Sequence, residues 1–446
     1  MTRDGGSQVY HMTRILGIRR EDKNRWERRV PLIPDHIDEL QKKYGIKTVI
    51  QPSTIRIFGD AEYQKVGARV QESLTPSSVV FAVKEIPLSN FEKNKTYVFF
   101  SHTIKGQHHN MPMLKKMMDL GCTLIDYERI VDATGKRLVF FGRFAGLAGM
   151  VDTLWTFGRR LHSEQIDTPF NTIKQTIHYT DLSDIKKHFM RVGKEISIRG
   201  FPSSLTPLIV GFTGYGHVSI GAQEILDVLP VKEIQPQDIE QIQKNASNKV
   251  IYKVVFKEEH MVEPTTAGEK FNLQDYYQHP ERYRSTFEQY LPSLSILMNC
   301  IFWNTQYPRL VTKQSIKQFY RKKEKPCLRV IGDISADVNG AIELTEKTTT
   351  PDNPVFVYNP LTDTIEEGYN GEGIVVMSVD NLPCELPKES SESFSEVLYQ
   401  FIPAVMNADF TAPDIDSVAL PIEIKNAVIL YRGKLTPGYQ YINKFL

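Results

Sequence analysis

Residues 208–212 form an unbroken apolar run, LIVGF, and the chain continues Thr213-Gly214-Tyr215-Gly216-His217-Val218-Ser219-Ile220-Gly221-Ala222. Few local patterns restrict a fold as strongly. A buried strand has to end there, the backbone has to turn through glycines, and a helix has to begin. Strand, glycine turn and helix together are the context in which a G-x-G-x-x-G pattern holds a dinucleotide. Gly214 would make the tight turn, and Gly216 would let a pyrophosphate reach the backbone. The helix start at His217 and Val218 would offer N–H groups and partial positive charge. Ser219 stands where the third glycine belongs. A small hydroxyl there still permits close packing, and it could itself bond a phosphate. The plainer reading is an ordinary glycine turn, and the strand and helix context favours the nucleotide over it. In such a site an acid about 20 residues past the first glycine holds the ribose 2′-hydroxyl. The second strand, near PVKEIQPQD, ends at Gln235-Pro236 with no acid at its tip, although Glu233 and Asp238 are close. This leans to NADP.

The rest of the chain repeats the same kind of unit. RILGI, KTVI, SVVFAVKEIP, TYVFFSH and CTLIDYE read as strands, and PDHIDELQKKYG, AEYQKVGA and HNMPMLKKMMDLG as the helices between them. That alternation predicts a parallel α/β sheet with right-handed crossovers. RLVFF reads as a strand running into a long helix, whose Ala145, Gly146, Ala148 and Gly149 let it approach a neighbour or a ligand closely. One or two helices are expected over 164–200. NKVIYKVVF, LRVIGDISAD and GIVVMSVDNLP are further strands, and 260–283 reads as irregular. SFSEVLYQFIPAVM predicts one amphipathic helix, and VALPIEIKNAVILYRGKLTP closes the chain. At 446 residues, about two or three domains are expected, with core enough to need no staples. The net charge of +1 argues against binding nucleic acid through bulk charge. Cys122, Cys300, Cys327 and Cys384 have neither C-x-x-C nor zinc spacing, and adjacent His108-His109 is poor ligand geometry, so no metal and reduced thiols are expected. No apolar run is long enough to cross a bilayer, and the first dozen residues show neither a secretory h-region nor a presequence pattern.

A second constellation lies upstream. Lys84 ends the strand FAVKE, His102 ends YVFFSH with Lys105 three residues on, and Glu128 follows LIDY. Glu27, Arg28 and Arg29 precede a turn in WERRVPLIP. In a parallel sheet Lys84, His102 and Glu128 would emerge at one edge. A lysine whose pKa shifts when desolvated, an imidazole and a carboxylate would then meet where catalytic groups sit. Each alone reads as structural; the three at successive strand ends read better as a site.

IRREDKNRWERRVPLIPDH, FAVKEIP, YVFFSHTIKGQ, LIDYERIVD, GRFAGLAGMVDTL, FTGYGHVSIGAQEIL, QHPERY, DISADVNGAIE and VDNLPCELPKESSESFSEVLY occur in this order. Together they resemble the lysine–ketoglutarate reductase domain of the α-aminoadipic semialdehyde synthases. The resemblance runs from about Ile15 to the C-terminus. The wider group holds the lysine-forming saccharopine dehydrogenases and, more distantly, alanine dehydrogenase and transhydrogenase domains. The resemblance implies an α/β fold of two Rossmann-like parallel-sheet domains flanking a cleft. A discontinuous first domain (1–150 and 381–446) would carry substrate and catalysis, and 151–380 would bind NADP. Joints between the two are expected near 145–160 and 375–385.

The resemblance further implies that L-lysine is joined to 2-oxoglutarate and the imine reduced with NADPH to saccharopine. Lys84 and His102 match the catalytic positions. Arg29, Lys105 and Glu128 match the substrate site, with Glu27 beside them. Asp333 or Asp337, in DISAD, matches an aspartate of the cofactor cleft. A saccharopine dehydrogenase domain, fused or separate, is an implied partner, and the mitochondrial matrix an implied location. Nucleic acid and membrane are not expected as partners, and a homo-oligomer is compatible with the sequence.

The chemistry fits these residues. Lysine's ε-amine, with a pKa of about 10.4, must lose a proton to attack a ketone, and the carbinolamine must then lose water. One base and one acid are needed, and Lys84 and His102 can supply them in either assignment. Saccharopine's three carboxylates call for cations: Arg29 first, then Lys105, with Arg19, Arg20, Arg28 and Arg56 weaker because loop cations are usually solvated. Two other readings stay open: a related NAD(P)-dependent amino-acid dehydrogenase acting on another 2-oxo acid, and a noncatalytic domain that senses lysine or nucleotide.

Overall fold

The structure, a computed structural model, describes residues 15–322 and 327–446; the N-terminal stretch read for a targeting signal lies outside the described residues. The chain divides into two units, Met1–Phe140 with Pro387–Leu446, and Phe141–Leu386.

In the first unit, β1 (Ile15–Ile18), β2 (Lys47–Ile50), β3 (Arg69–Val70), β4 (Val79–Phe81), β5 (Thr96–Phe99) and β6 (Thr123–Asp126) lie in the order β3-β2-β1-β4-β5-β6. Every neighbouring pair among them is parallel. This is the doubly wound order, with its reversal between β1 and β4. The central strands are apolar throughout because both faces are covered; VVF of β4 and TYVF of β5 are wholly buried. The predicted helices appear as α1 (Pro34–Tyr44), α2 (Asp60–Lys65) and α3 (Met111–Asp119).

The second unit opens with α4 (Gly142–Ser163). RLVFF makes no strand. Val139 is buried, but the segment joins no ladder beyond one isolated bridge at Arg137. Residues 145–160, read as a joint, lie inside this single 22-residue helix. Over 164–200 there is one long helix, α5 (Leu182–Arg199), whose N-cap Asp181 accepts from Asp184 N at 2.8 Å. β7 (Leu208–Thr213) and α6 (His217–Leu226) flank the glycine turn. They are followed by β8 (Val231–Ile234), β9 (Ile251–Phe256) and a separate antiparallel pair, β10 (Val262–Pro264) and β11 (Tyr283–Ser285). β12 (Ile296–Asn299), β13 (Val330–Asp333), β14 (Val355–Asn359), β15 (Thr364–Glu367) and β16 (Ile374–Met377) complete the unit.

The second sheet runs β8-β9-β7-β12-β13-β16-β14-β15. It is parallel from β8 to β16 and antiparallel beyond. β8 therefore lies outside β9 and does not pair with β7.

The chain then returns to the first unit. SFSEVLYQFIPAVM is two helices, Pro387–Tyr399 and Ile402–Asn407, because Pro403 has no N–H with which to continue the first. β17 (Val428–Tyr431) pairs antiparallel with β6, and β18 (Lys434–Leu435) with β17, making eight strands. Two mixed, mainly parallel α/β sheets of eight strands each result. All four cysteines are free, and among the described residues no helix is long and apolar enough to cross a membrane. Among the described residues no group of three His, Cys, Asp or Glu side chains is placed to hold a metal ion.

Candidate active site

The parallel order of β4, β5 and β6 puts Lys84, His102 and Glu128 beyond the carboxyl ends of three adjacent strands. A residue not singled out in the sequence organises the first of these. Glu21, three residues past β1, accepts the Val83 N–H on Oε1 at 2.7 Å and the Lys84 N–H on Oε2 at 3.0 Å. It clamps the turn that carries the lysine. Lys84 is half-buried. Burial pushes its ammonium below the ordinary lysine value, and the Arg29 charge pushes the same way against Glu27 and Glu85. Arg29 and Glu27 form a buried fork, Nε to Oε1 at 2.7 Å and Nη2 to Oε2 at 2.5 Å.

His102 reaches the lysine turn through Glu85, which sequence reasoning also passed over. Its Nδ1 lies 2.6 Å from Glu85 Oε1. Burial would raise the Glu85 carboxyl, but the bond to His102, the His102 charge and Lys23 hold it at about 2. His102 sits at φ +48°, a left-handed conformation unusual for a non-glycine residue and frequent at functional sites. Its neighbours hold it there. Asp126, at the end of β6, accepts from Ser101 N at 3.1 Å and from Ser101 Oγ, while Asn110 donates to the His102 carbonyl at 3.2 Å. The structure thus brings Lys84, Glu85 and His102 together with Glu21 behind them. Glu128 lies one strand further on and pairs with Arg137 at 2.7 Å; Lys105 is exposed on the loop after His102. The weaker arginines are taken up locally: Arg19 by Asp22, Arg20 by Glu72, Arg56 by Asp60, and Arg28 by the Ile55 carbonyl.

In the second unit the glycine turn has the expected form. Gly214 takes φ +80°, and its N–H donates to the Phe256 carbonyl at 2.9 Å. At Gly216 φ is −78° and an added Cβ would meet nothing within 4 Å. Neither backbone strain nor packing requires glycine there. What its absent side chain leaves open is the space before the N-terminus of α6, which suits a pyrophosphate. Ser219 is fully buried and accepts from Gln223 Nε2 at 2.9 Å. Its burial and this bond suit the packing role of the third glycine. Asp333 is buried and accepts from Asn299 Nδ2 (2.8 Å) and Ser335 Oγ (2.7 Å) on Oδ1 and from Thr345 Oγ1 (2.6 Å) on Oδ2. It braces the ends of β12 and β13, while Asp337 is exposed on the following loop.

β8, read as the second strand of the fingerprint, is not the strand beside the glycine turn. Glu233 is engaged by Lys253 at 3.1 Å, and Asp238 accepts from Gln235 N at 3.1 Å. The strand beside β7 is β9, which runs into Lys257-Glu258. The spacing rule failed because β8 and its following helix are inserted between the two paired strands.

The N-terminal domain of alanine dehydrogenase/PNT matches residues 17–148, and the C-terminal domain of alanine dehydrogenase/PNT matches residues 231–437. Among curated proteins the chain is 36% identical to α-aminoadipic semialdehyde synthase of Arabidopsis thaliana, over 96% of this chain and 41% of that one. It is likewise 36% identical to mitochondrial α-aminoadipic semialdehyde synthase of Mus musculus, over 98% and 48%. The chain spans less than half the length of these relatives. It is 27% identical to saccharopine dehydrogenase [NAD(+), L-lysine-forming] of Emericella nidulans, over 79% and 82%. Among solved structures an L-alanine dehydrogenase superposes with a TM-score of 0.62 at 16% identity, covering 97% of this chain and 100% of that one. Fold and turn are those of a Rossmann-like dehydrogenase, a class of oxidoreductase that works with a nicotinamide dinucleotide. The chain belongs to the alanine dehydrogenase/PNT family.

Proposed function

We propose that this chain is a lysine–2-oxoglutarate reductase. It condenses the ε-amine of L-lysine with the ketone of 2-oxoglutarate and reduces the imine to saccharopine. The observation that carries this reading is the Lys84–Glu85–His102 cluster at the strand ends, with Glu21 clamping its turn. It occurs in a chain similar along most of its length to α-aminoadipic semialdehyde synthases and, more distantly, to lysine-forming saccharopine dehydrogenases.

Burial lowers the Lys84 ammonium and makes the neutral amine easier to form, and Lys84 takes the proton from the substrate ammonium. His102, oriented by Glu85 through Nδ1, carries protons to and from the carbinolamine oxygen as water leaves. Arg29 and Lys105 receive substrate carboxylates, and Glu27 and Glu128 orient these cations or hold the substrate's ammonium. Gly214, Gly216, His217 and Val218 hold the dinucleotide phosphates, and Asp337, on the exposed loop, is the cofactor-side aspartate of DISAD. Once bound, the reduced nicotinamide supplies hydride to the imine carbon. The resemblance points to NADPH; the lean to NADP from the missing acid at the tip of β8 carries no weight, since β8 is not the strand beside β7. A saccharopine dehydrogenase domain, on the same chain or another, consumes the product in this reading, and a mitochondrial location follows from the same relatives.

The test is oxidation of reduced dinucleotide by the full chain with lysine and 2-oxoglutarate, each omitted in turn, with NADH and NADPH in parallel. Turnover is expected to need both substrates. Lys84→Met and His102→Gln should each lower kcat by about a hundredfold or more while the protein stays folded. Turnover with pyruvate but not 2-oxoglutarate would replace this reading with another amino-acid dehydrogenase.

A further inference from the structure

A cavity of about 340 Å³ lies across the carboxyl ends of β9, β7 and β12. Gly214 and Gly216 of the turn line it, with Glu258 and Tyr277 after β9 and Cys300 and Trp303 after β12. In a doubly wound sheet this is the ground beside a pyrophosphate where the adenosine half of a dinucleotide lies. Its wall is largely aromatic and suits a planar base. Its charge is one-sided. Among the described residues lining it, Glu258 is the one acid, and no Lys, Arg or His is present. Two cations stand near it in the chain without lining it. Arg309 stacks over Trp303 at 5.3 Å and donates to the Gly340 and Asn339 carbonyls at 3.1 and 2.9 Å, and Lys257 does not line the cavity.

We propose that Glu258 selects the dinucleotide, and that the chain takes NADH in preference to NADPH. The proposal rests on reading the glycine turn as a dinucleotide site. Thr213 and Phe256 are register partners, so Glu258, two residues past Phe256, stands beside the turn although it lies 44 residues after Gly214. Two tyrosines orient its carboxylate: Tyr277 Oη donates to Oε1 at 2.6 Å, and Tyr215 Oη, from the turn itself, to Oε2 at 3.3 Å. A carboxylate has about four acceptor positions, so two remain for the hydroxyls of a ribose diol. A 2′-phosphate carries nearly two negative charges and needs cations around it. Here it would meet a fixed carboxylate on a wall without a cation.

The experiment is calorimetric titration of the full chain with NADH and with NADPH, without substrates. NADH is expected to bind at least about tenfold more tightly. Glu258→Gln, which keeps an acceptor and removes the charge, should bring the two affinities within about threefold of each other. Circular dichroism and the melting temperature check that this variant is folded, and if it is not, the wild-type preference still decides. Equal or tighter NADPH binding by the wild type, or a preference that survives in Glu258→Gln, would overturn the proposal and leave the dinucleotide site standing. Binding of neither dinucleotide would overturn both.

Discussion

Glu21 shows how a carboxyl outside the reacting set can govern the site. It is nearly fully buried, and its two oxygens are taken by the Val83 and Lys84 N–H groups. Burial, then the Glu27 charge, lift it to about 7, against the pull of those N–H donors and of Arg19. Below the ordinary carboxylate value the folded and unfolded chains both hold this proton and nothing is lost. As pH rises toward about 7 the unfolded chain releases the proton while the folded chain keeps it, so stability falls. The full penalty, on the order of 3 kcal/mol, is present above that. Glu21→Gln removes the charge but turns one of the two acceptors into a donor. Its denaturant midpoint should lie below the wild type near pH 4 and gain on it by pH 8. Curves that run parallel across this range would mean Glu21 ionises freely. Lys84 and His102 could be read from sequence because each ends an apolar strand. Glu21 and Glu85 could not, since they act through backbone donors and a partner ring whose positions depend on strand order.

Between residues and domains, the pairing of α4 with α6 sets the turn. A Cβ at Gly146 would lie 1.9 Å from the Val218 carbonyl oxygen and 2.7 Å from Ala222 N. One at Gly221 would lie 2.1 Å from the Arg143 carbonyl oxygen. The two helices touch backbone to backbone beside the start of α6, so neither can yield by a rotamer change. Gly146→Ala should cost about 3 kcal/mol or prevent folding. Gly216→Ala, with open space around it and an ordinary φ, should cost less than about 1 kcal/mol yet weaken dinucleotide binding markedly. Melting temperature and titration read the two effects separately, and a Gly216→Ala protein that binds as well as wild type would remove that glycine from the phosphate site. The small-residue stretch of α4 and the glycine turn were open to sequence reasoning because their chemistry is local. The placement of β8 outside β9 was not. Both are short strands, and only the pairing of edges, a nonlocal fact, decides which lies beside β7.

The two units are unlike in how the chain builds them. The second is made by one continuous segment, and both faces of its sheet carry cores drawn from that segment, with Phe157, Phe170 and Phe189 in one and Phe256, Phe287 and Tyr358 in the other. Its two ends also meet. Asp152 of α4 and Glu385, next to the last residue, are buried carboxyls that act on each other electrostatically. Burial, and then the Asp152 charge, push Glu385 well above the carboxylate range. The first unit is split. Its last two strands, and the helix whose Phe394 packs 4.9 Å from Tyr127, come from the end of the chain. Ser391 and Ser395 of that helix accept the Val30 and Ile33 N–H groups at 3.0 Å. Residues 141–386 expressed alone should therefore fold cooperatively and bind the same dinucleotide as the full chain. Residues 15–140 alone would leave β6 as an open edge with Leu124 and Ile125 unpaired, and should be insoluble. Circular dichroism, thermal unfolding and titration of the two fragments measure this. A soluble, folded 15–140 would show that the returning strand decorates its sheet without completing it.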